Sequence, residues 1–161
     1  TLAYEHQAAH FGSQWSVHAM EGRMTHQVYY ANHTFCNEYN SNNNNNSQTW
    51  TPPFFLMINR GGGCTFVTKV RHAQQAGASG VLLAKNKESE PEPIVANAGS
   101  VNDISIPSMM MKKSDADSIK DMILNKHQPV VAEMAWHWQN MTQWRPLNFG
   151  IPQLMKDQPN F

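Results

Sequence analysis

Charge is scarce in this chain. Of its 161 residues, 12 are lysine or arginine and 12 are aspartate or glutamate, so charged residues make up 15% and the formal net charge is zero. That balance offers no basic patch and argues against a nucleic-acid partner. Long apolar runs are missing as well; none approaches the ~20 residues that a membrane-spanning helix needs. A membrane anchor, if there is one, is expected outside this chain. No initiator methionine and no leader-like segment opens the sequence, so Thr1 is expected to be a processed or trimmed start. The common catalytic signatures are also missing. Gly77-Ala78-Ser79-Gly80 lacks the spacing of a nucleophile elbow, and neither an H-E-x-x-H pair nor a phosphate loop occurs. His6 and His10 stand four apart but have no third ligand at a suitable spacing, so they read as surface histidines. No catalytic residue, metal or cofactor is expected. Cysteine is limited to Cys36 and Cys64, which by themselves could be two thiols or one bridge.

The length suits one domain with a real core. Asparagine is plentiful instead of charge. Residues 37–48 hold the run Asn42 to Asn46, too polar to bury, and read as a surface loop. Asn32-His33-Thr34, Asn45-Asn46-Ser47 and Asn140-Met141-Thr142 fit the N-x-[ST] acceptor pattern, which points to the secretory lumen or the cell exterior.

The chain is organised around residues 54–84. Phe54 to Ile58 is short, apolar and bounded by Pro53 and Arg60-Gly61, so it reads as a buried strand. Gly61, Gly62 and Gly63 can take positive φ and leave the backbone bare to a partner. From Thr65 the apolar residues Val67, Val70, Ala73 and Ala76 recur at three, and Gly77 stands where a helix ends. Val81 to Ala84 is a second apolar strand. The result is a β-α-β unit whose glycine loop is the candidate working surface.

The stretch from Asn59-Arg60-Gly61-Gly62-Gly63-Cys64 to Gly77 and Ala84, followed later by Asp103-Ile104-Ser105-Ile106-Pro107, resembles the two signatures of the protease-associated (PA) domain. Within that family it is similar to the lumenal domain of vacuolar sorting receptors. The resemblance covers roughly residues 9–138 and implies an α/β (α+β) fold: a swivelling β/β/α arrangement in which a small barrel-like or sandwich-like sheet is flanked by two helices. It implies a Cys36–Cys64 bridge, and a non-catalytic module that binds protein or peptide. By the resemblance Arg60 helps hold a cargo peptide beside Gly61, Gly62 and Gly63. Residues 94–103, with Asn97 and Asp103, would form the other wall. Arg60 stands one residue further from the cysteine than in the plant receptors. From the residues alone, a guanidinium offers a planar fork to carboxylate or carbonyl oxygens. An internal salt bridge for Arg60, with glycines that merely turn the chain, is the competing account.

Elsewhere, Ile104 to Pro107 is expected to be a short strand and Met109, Met110 and Met111 buried filler. A second helix is expected from Ser114, capped by that hydroxyl with Asp117 three residues on. Its Ile119, Met122 and Ile123 form the core stripe, and Asp115, Asp117 and Asp121 a solvated face. A last strand is expected over 129–138, with Val130, Ala132, Met134 and Trp136 on one side. Residues 1–143 are then the domain, and 144–161 an extended tail whose Trp144, Phe149 and Phe161 pack on this domain or on a neighbouring subunit. Three roles follow: a peptide-binding module of a sorting-receptor-like protein, an assembly subunit of an extracellular complex using the tail, or a module accompanying a protease.

Overall fold

The computed structural model describes residues 2–4, 6–8, 21–39, 48–88, 101–137 and 149–151. Its strands are β1 (Leu2–Tyr4), β2 (His6–Ala8), β3 (Glu21–Tyr30), β4 (Phe54–Asn59), β5 (Gly80–Ala84), β6 (Ser108–Met111), β7 (Val130–His137) and β8 (Phe149–Ile151). The helices are α1 (Phe66–Gln75) and α2 (Lys113–Leu124).

One sheet holds every described strand, in the order β1-β8-β7-β3-β4-β5-β6-β2. The parallel ladders β3–β4, β4–β5 and β5–β6 form its centre. β7 lies antiparallel to β3 over its whole length, Val28 opposite Val130 and Glu21 opposite His137. The two ends of the order, β1 and β2, are separated by one residue in the chain. The sheet therefore curls until the N-terminal segment meets both of its ends, β8 through residues 2–4 and β6 through residues 6–8.

β4 and β5 are buried on both faces, which is why they read as continuous apolar runs. Alternate residues feed two cores. Phe54, Leu56, Ile58, Val81, Leu83 and Met110 pack with Val67, Val70 and Ala73 of α1. Phe55, Met57, Leu82, Met109 and Met111 pack with Ala116 and Ile119 of α2 and with Val130, Ala132 and Met134 of β7. A fully buried side chain such as Val70 or Ile119 contributes roughly 1.5–3 kcal/mol. The α1 stripe and the α2 stripe lie on opposite faces of the same strands.

α1 ends as its sequence says. Gly77 takes φ 92°. Its N–H donates to the Gln74 carbonyl at 2.9 Å, and that of Ala78 donates to the Ala73 carbonyl at 3.1 Å, a Schellman closure.

Two expectations are corrected. Residues 104–107 are not a strand; β6 begins after the proline and runs through the methionines. Pro107 has no N–H to give to a ladder, but its carbonyl accepts from Val81 N at 3.0 Å and so starts the pairing. Burial on both faces outweighs the higher strand propensity of isoleucine, and Ile104 goes into the α1 core instead. Second, α2 starts earlier than Ser114. Lys112 is its N-cap and makes no side-chain cap bond. Ser114 lies inside the first turn, where its carbonyl accepts from the Ser118 hydroxyl at 3.0 Å, and Asp117 pairs with Lys113 and Lys120. Because β6 runs to Met111, the cap position falls on Lys112, whose ammonium can only donate and so cannot accept from the helix N–H groups.

Candidate functional site

β4 delivers Arg60 to the top of the sheet, where Arg60 N donates to the Ala84 carbonyl at 2.9 Å and ties the turn to the end of β5. Gly61, Gly62 and Gly63 follow with φ of 109°, 84° and 80°. Three successive residues in this region are affordable only for glycine, since a Cβ there meets the backbone. Thr65 then caps α1, its Oγ1 accepting from Thr68 N at 3.2 Å. No acidic residue sits in the first helical turn, so the positive end of the helix is unneutralised. All three glycines are exposed, and among the described residues no acceptor takes their N–H groups.

The glycines are not equivalent. A Cβ on Gly61 or Gly63 would point into open space. On Gly62 it would stand 2.7 Å from Thr34 Cβ and 2.9 Å from Cys36 Sγ. Gly62 is where the turn rests on the loop of residues 31–36.

That loop is clamped from several sides. Ala31 N donates to the Met57 carbonyl at 2.9 Å. The Lys69 ammonium, fully buried, donates to the Thr34 carbonyl. His72 Nδ1 lies 2.9 Å from the Phe35 carbonyl, so that nitrogen carries the proton and donates. Cys36 is bonded to Cys64, with Cα atoms 5.5 Å apart, and its sulfur touches the Gly62 carbonyl at 3.1 Å, a packing contact because a disulfide sulfur has no hydrogen. Closing a loop with a sequence separation of 28 stabilises by roughly 3.5 kcal/mol in the chain-entropy model. These ties hold Phe35 at φ 55°, a left-handed conformation that costs a bulky residue roughly 1–3 kcal/mol.

Electrostatics at the clamp are set by burial. It pushes the Lys69 ammonium below the usual lysine range. The His33 ring lies nearly parallel to those of Phe35 (centroids 4.1 Å apart) and Tyr39 (5.0 Å), which are themselves 5.7 Å apart, and its Nε2 is buried without a hydrogen-bond partner among the described residues. Burial, and then the nearby Lys69 charge, push its imidazole below the ordinary histidine value.

Of the expected site residues, Arg60, Gly61, Gly62 and Gly63 come together at the turn. The Arg60 guanidinium lies 5.5 Å over the Phe66 ring and makes no ion pair or hydrogen bond among the described residues. Among the described residues its planar donors therefore remain open. Asp103 lies on the flank of α1. Its carboxylate receives Arg71 Nε at 2.5 Å and Nη2 at 2.8 Å, and its carbonyl receives Gln74 Nε2 at 2.7 Å. The Arg71 hydrogen bond holds the Asp103 carboxyl below the usual carboxylate range. Asn97 falls outside the described residues, as do Asn45 and Asn140, while Asn32 is exposed at the start of the clamp loop. Sequence reasoning missed Lys69. The available signal was its position four residues before Ala73, on the side of α1 that the apolar stripe occupies.

The family model described as the PA domain matches residues 24–119. Vacuolar-sorting receptor 1 of Pisum sativum is 40% identical over 77 residues, 44% of this chain and 12% of the receptor. Vacuolar-sorting receptor 5 of Arabidopsis thaliana is 32% identical over 108 residues, 63% of this chain and 16% of the receptor. Signal peptide peptidase-like 3 of Arabidopsis thaliana is 37% identical over 67 residues, 41% of this chain and 12% of that protein. The chain thus spans only a small part of each of these relatives. Among solved structures, an aminopeptidase from Aneurinibacillus sp. strain AM-1 superposes with a TM-score of 0.54 at 16% identity, over 83% of this chain and 28% of that one. A zinc aminopeptidase from Bacillus subtilis gives 0.52 at 21% identity, over 85% and 28%. At these identities the two enzymes speak for a shared fold alone. The parallel strands β4 to β6, helix α1 and the cysteine-pinned glycine turn lie within the matched residues, and the family model covers more than half of the chain: the chain belongs to the PA domain family.

Proposed function

We propose that this domain is a non-catalytic module that binds an extended segment of another protein at the glycine turn, as the cargo site of a vacuolar-sorting-receptor-like protein. One observation carries the reading: Arg60 is held over Phe66 with its donors open, next to three glycines whose N–H groups have no acceptor among the described residues. A guanidinium fork and a row of bare amides suit the carbonyl and carboxylate oxygens of an extended chain. The same reading places the protein in the secretory lumen or at the cell surface. The disulfide, the sequons and the similarity to sorting receptors support that placement.

The test is calorimetry or interferometry of a peptide library against the wild-type chain, Arg60→Lys and Arg60→Ala. Saturable wild-type binding that falls at least ~10-fold in Arg60→Ala, with Arg60→Lys in between, is expected, since one charge-assisted contact is worth ~1.5–3 kcal/mol. No saturable binding by the folded wild type, or equal binding by Arg60→Ala, would refute it. Unfolding should change little, because a cation–π contact that is not fully desolvated contributes only ~0.5–1 kcal/mol.

The similarity to signal peptide peptidase-like 3 favours a second reading, a module that accompanies a protease. The intact mass and sequence of the natural gene product separate the two, because the second requires a catalytic domain on the same polypeptide. The described part of the tail, β8, pairs with β1 and β7 of the domain's own sheet. The assembly role, in which the tail docks on another chain, draws no support from it.

A further inference from the structure

We propose that Asn32 carries an N-linked glycan and that this sugar shields one flank of the glycine turn from protein-sized molecules. The inference rests on the secretory placement proposed above. Asn32-His33-Thr34 is an acceptor sequon on the bend that follows β3, with Asn32 and Thr34 exposed and His33 turned inward onto Phe35 and Tyr39. The Asn32 side-chain amide makes no hydrogen bond among the described residues; only its backbone N–H is engaged, by Gln48 Oε1 at 3.2 Å. A sugar there displaces no internal contact. In the transfer, the Asn32 amide nitrogen attacks the anomeric carbon of a lipid-diphosphate-linked oligosaccharide. The N–C bond forms as the C–O bond to the diphosphate breaks, and the amide proton passes to base.

The position gives the glycan a consequence. Thr34 packs directly on Gly62, close enough that a single added methyl would collide. Asn32 is two residues away, within roughly 7 Å of Thr34 along the chain. The disulfide and Lys69 hold that spacing fixed. A branched oligosaccharide is much longer than this, so from Asn32 it reaches over the side of the turn. A small or extended ligand would still enter from the Arg60 side, while a folded protein would meet the sugar.

The occupancy test uses the full natural protein from its source. Removing N-glycans enzymatically in heavy-oxygen water converts each occupied asparagine to labelled aspartate, read by peptide mass spectrometry. Label at Asn32 is expected. Label at other sequons with unlabelled Asn32 overturns the inference; an absence of N-glycan anywhere overturns it together with the secretory placement. The shielding test compares the natural glycoform with Asn32→Gln, using trypsin at the bond between half-buried Arg60 and exposed Gly61 as the large probe and phenylglyoxal at Arg60 as the small one. Cleavage several-fold slower in the glycoform, with equal phenylglyoxal modification, is expected. Equal cleavage in the two forms, including none in either, overturns the shielding.

Discussion

Replacing Gly62 with alanine should cost distinctly more stability than the same change at Gly61 or Gly63, although the three look alike in sequence. Each sits at positive φ, so each alanine carries backbone strain of roughly 1–3 kcal/mol. That strain is partly offset by ~0.4–1 kcal/mol, because alanine also restricts the unfolded chain. For Gly61 and Gly63 little more is expected, since the new methyl meets nothing within 4 Å. At Gly62 the methyl would stand 2.7 Å from Thr34 Cβ, 2.9 Å from Thr34 Cγ2 and 2.9 Å from Cys36 Sγ. None of these is the free end of a long side chain. Thr34 is tethered through its carbonyl to Lys69, and Cys36 through its sulfur to Cys64. Overpacking against anchored atoms adds roughly 1–3 kcal/mol. At ~2–4 °C per kcal/mol for a domain of this size, Gly62→Ala should melt roughly 2–12 °C below the other two variants. Thermal and urea unfolding of the three variants side by side is the measurement. Equal losses at all three positions would refute the idea that the turn rests on the clamp loop at Gly62.

The remaining predictions concern the clamp. Changing Cys36 and Cys64 together to serine should lower stability by roughly 3.5 kcal/mol, measured by urea unfolding against the oxidised wild type. If the turn is held by the bridge, the same double variant should also expose the Arg60–Gly61 bond to faster proteolysis. Acid should weaken the fold before the carboxylates titrate. Unfolded His33 takes up its proton as pH falls through its ordinary 6.5, whereas folded His33 resists. The unfolded state then binds more protons, so the His33 contribution is fully present above about pH 6.5 and is lost as pH falls below it. His33→Phe keeps an aromatic ring in the stack and should flatten the melting-temperature profile between roughly pH 7 and pH 5. An unchanged slope would show that another group carries the acid sensitivity.

The β-α-β unit was legible because each of its signals is local. Apolar runs mark β4 and β5, spacing at three marks the buried face of α1, and Gly77 marks its end. The clustering of Arg60 with the three glycines is likewise a matter of adjacent residues. What sequence did not show depends on distant partners. β6 falls on the methionines because both of its faces are covered, which residues 108–111 do not announce themselves. Closure of the sheet needs residues 2–8 and 149–151 to meet strands far away in the chain, without an apolar alternation to signal it. Lys69 is buried only because the loop of residues 31–36 lies across it and offers the Thr34 carbonyl. Whether Arg60 was spoken for internally also could not be read from its neighbours; the structure puts it on Phe66 instead.

The clamp also bears on how a ligand would be met in time and in heat. A free three-glycine segment samples more backbone conformations than any other sequence of its length, and a partner binding it would have to select one. Here the bridge to Cys36, the Gly62 contact and the hydrogen bonds of Lys69 and His72 fix the adjoining loop when the chain folds. The entropy lost in ordering the turn is therefore charged to folding rather than to association. Arrival at the turn should resemble docking onto a preset surface, with an association rate independent of any slow rearrangement and a heat-capacity change no larger than the contact area itself requires.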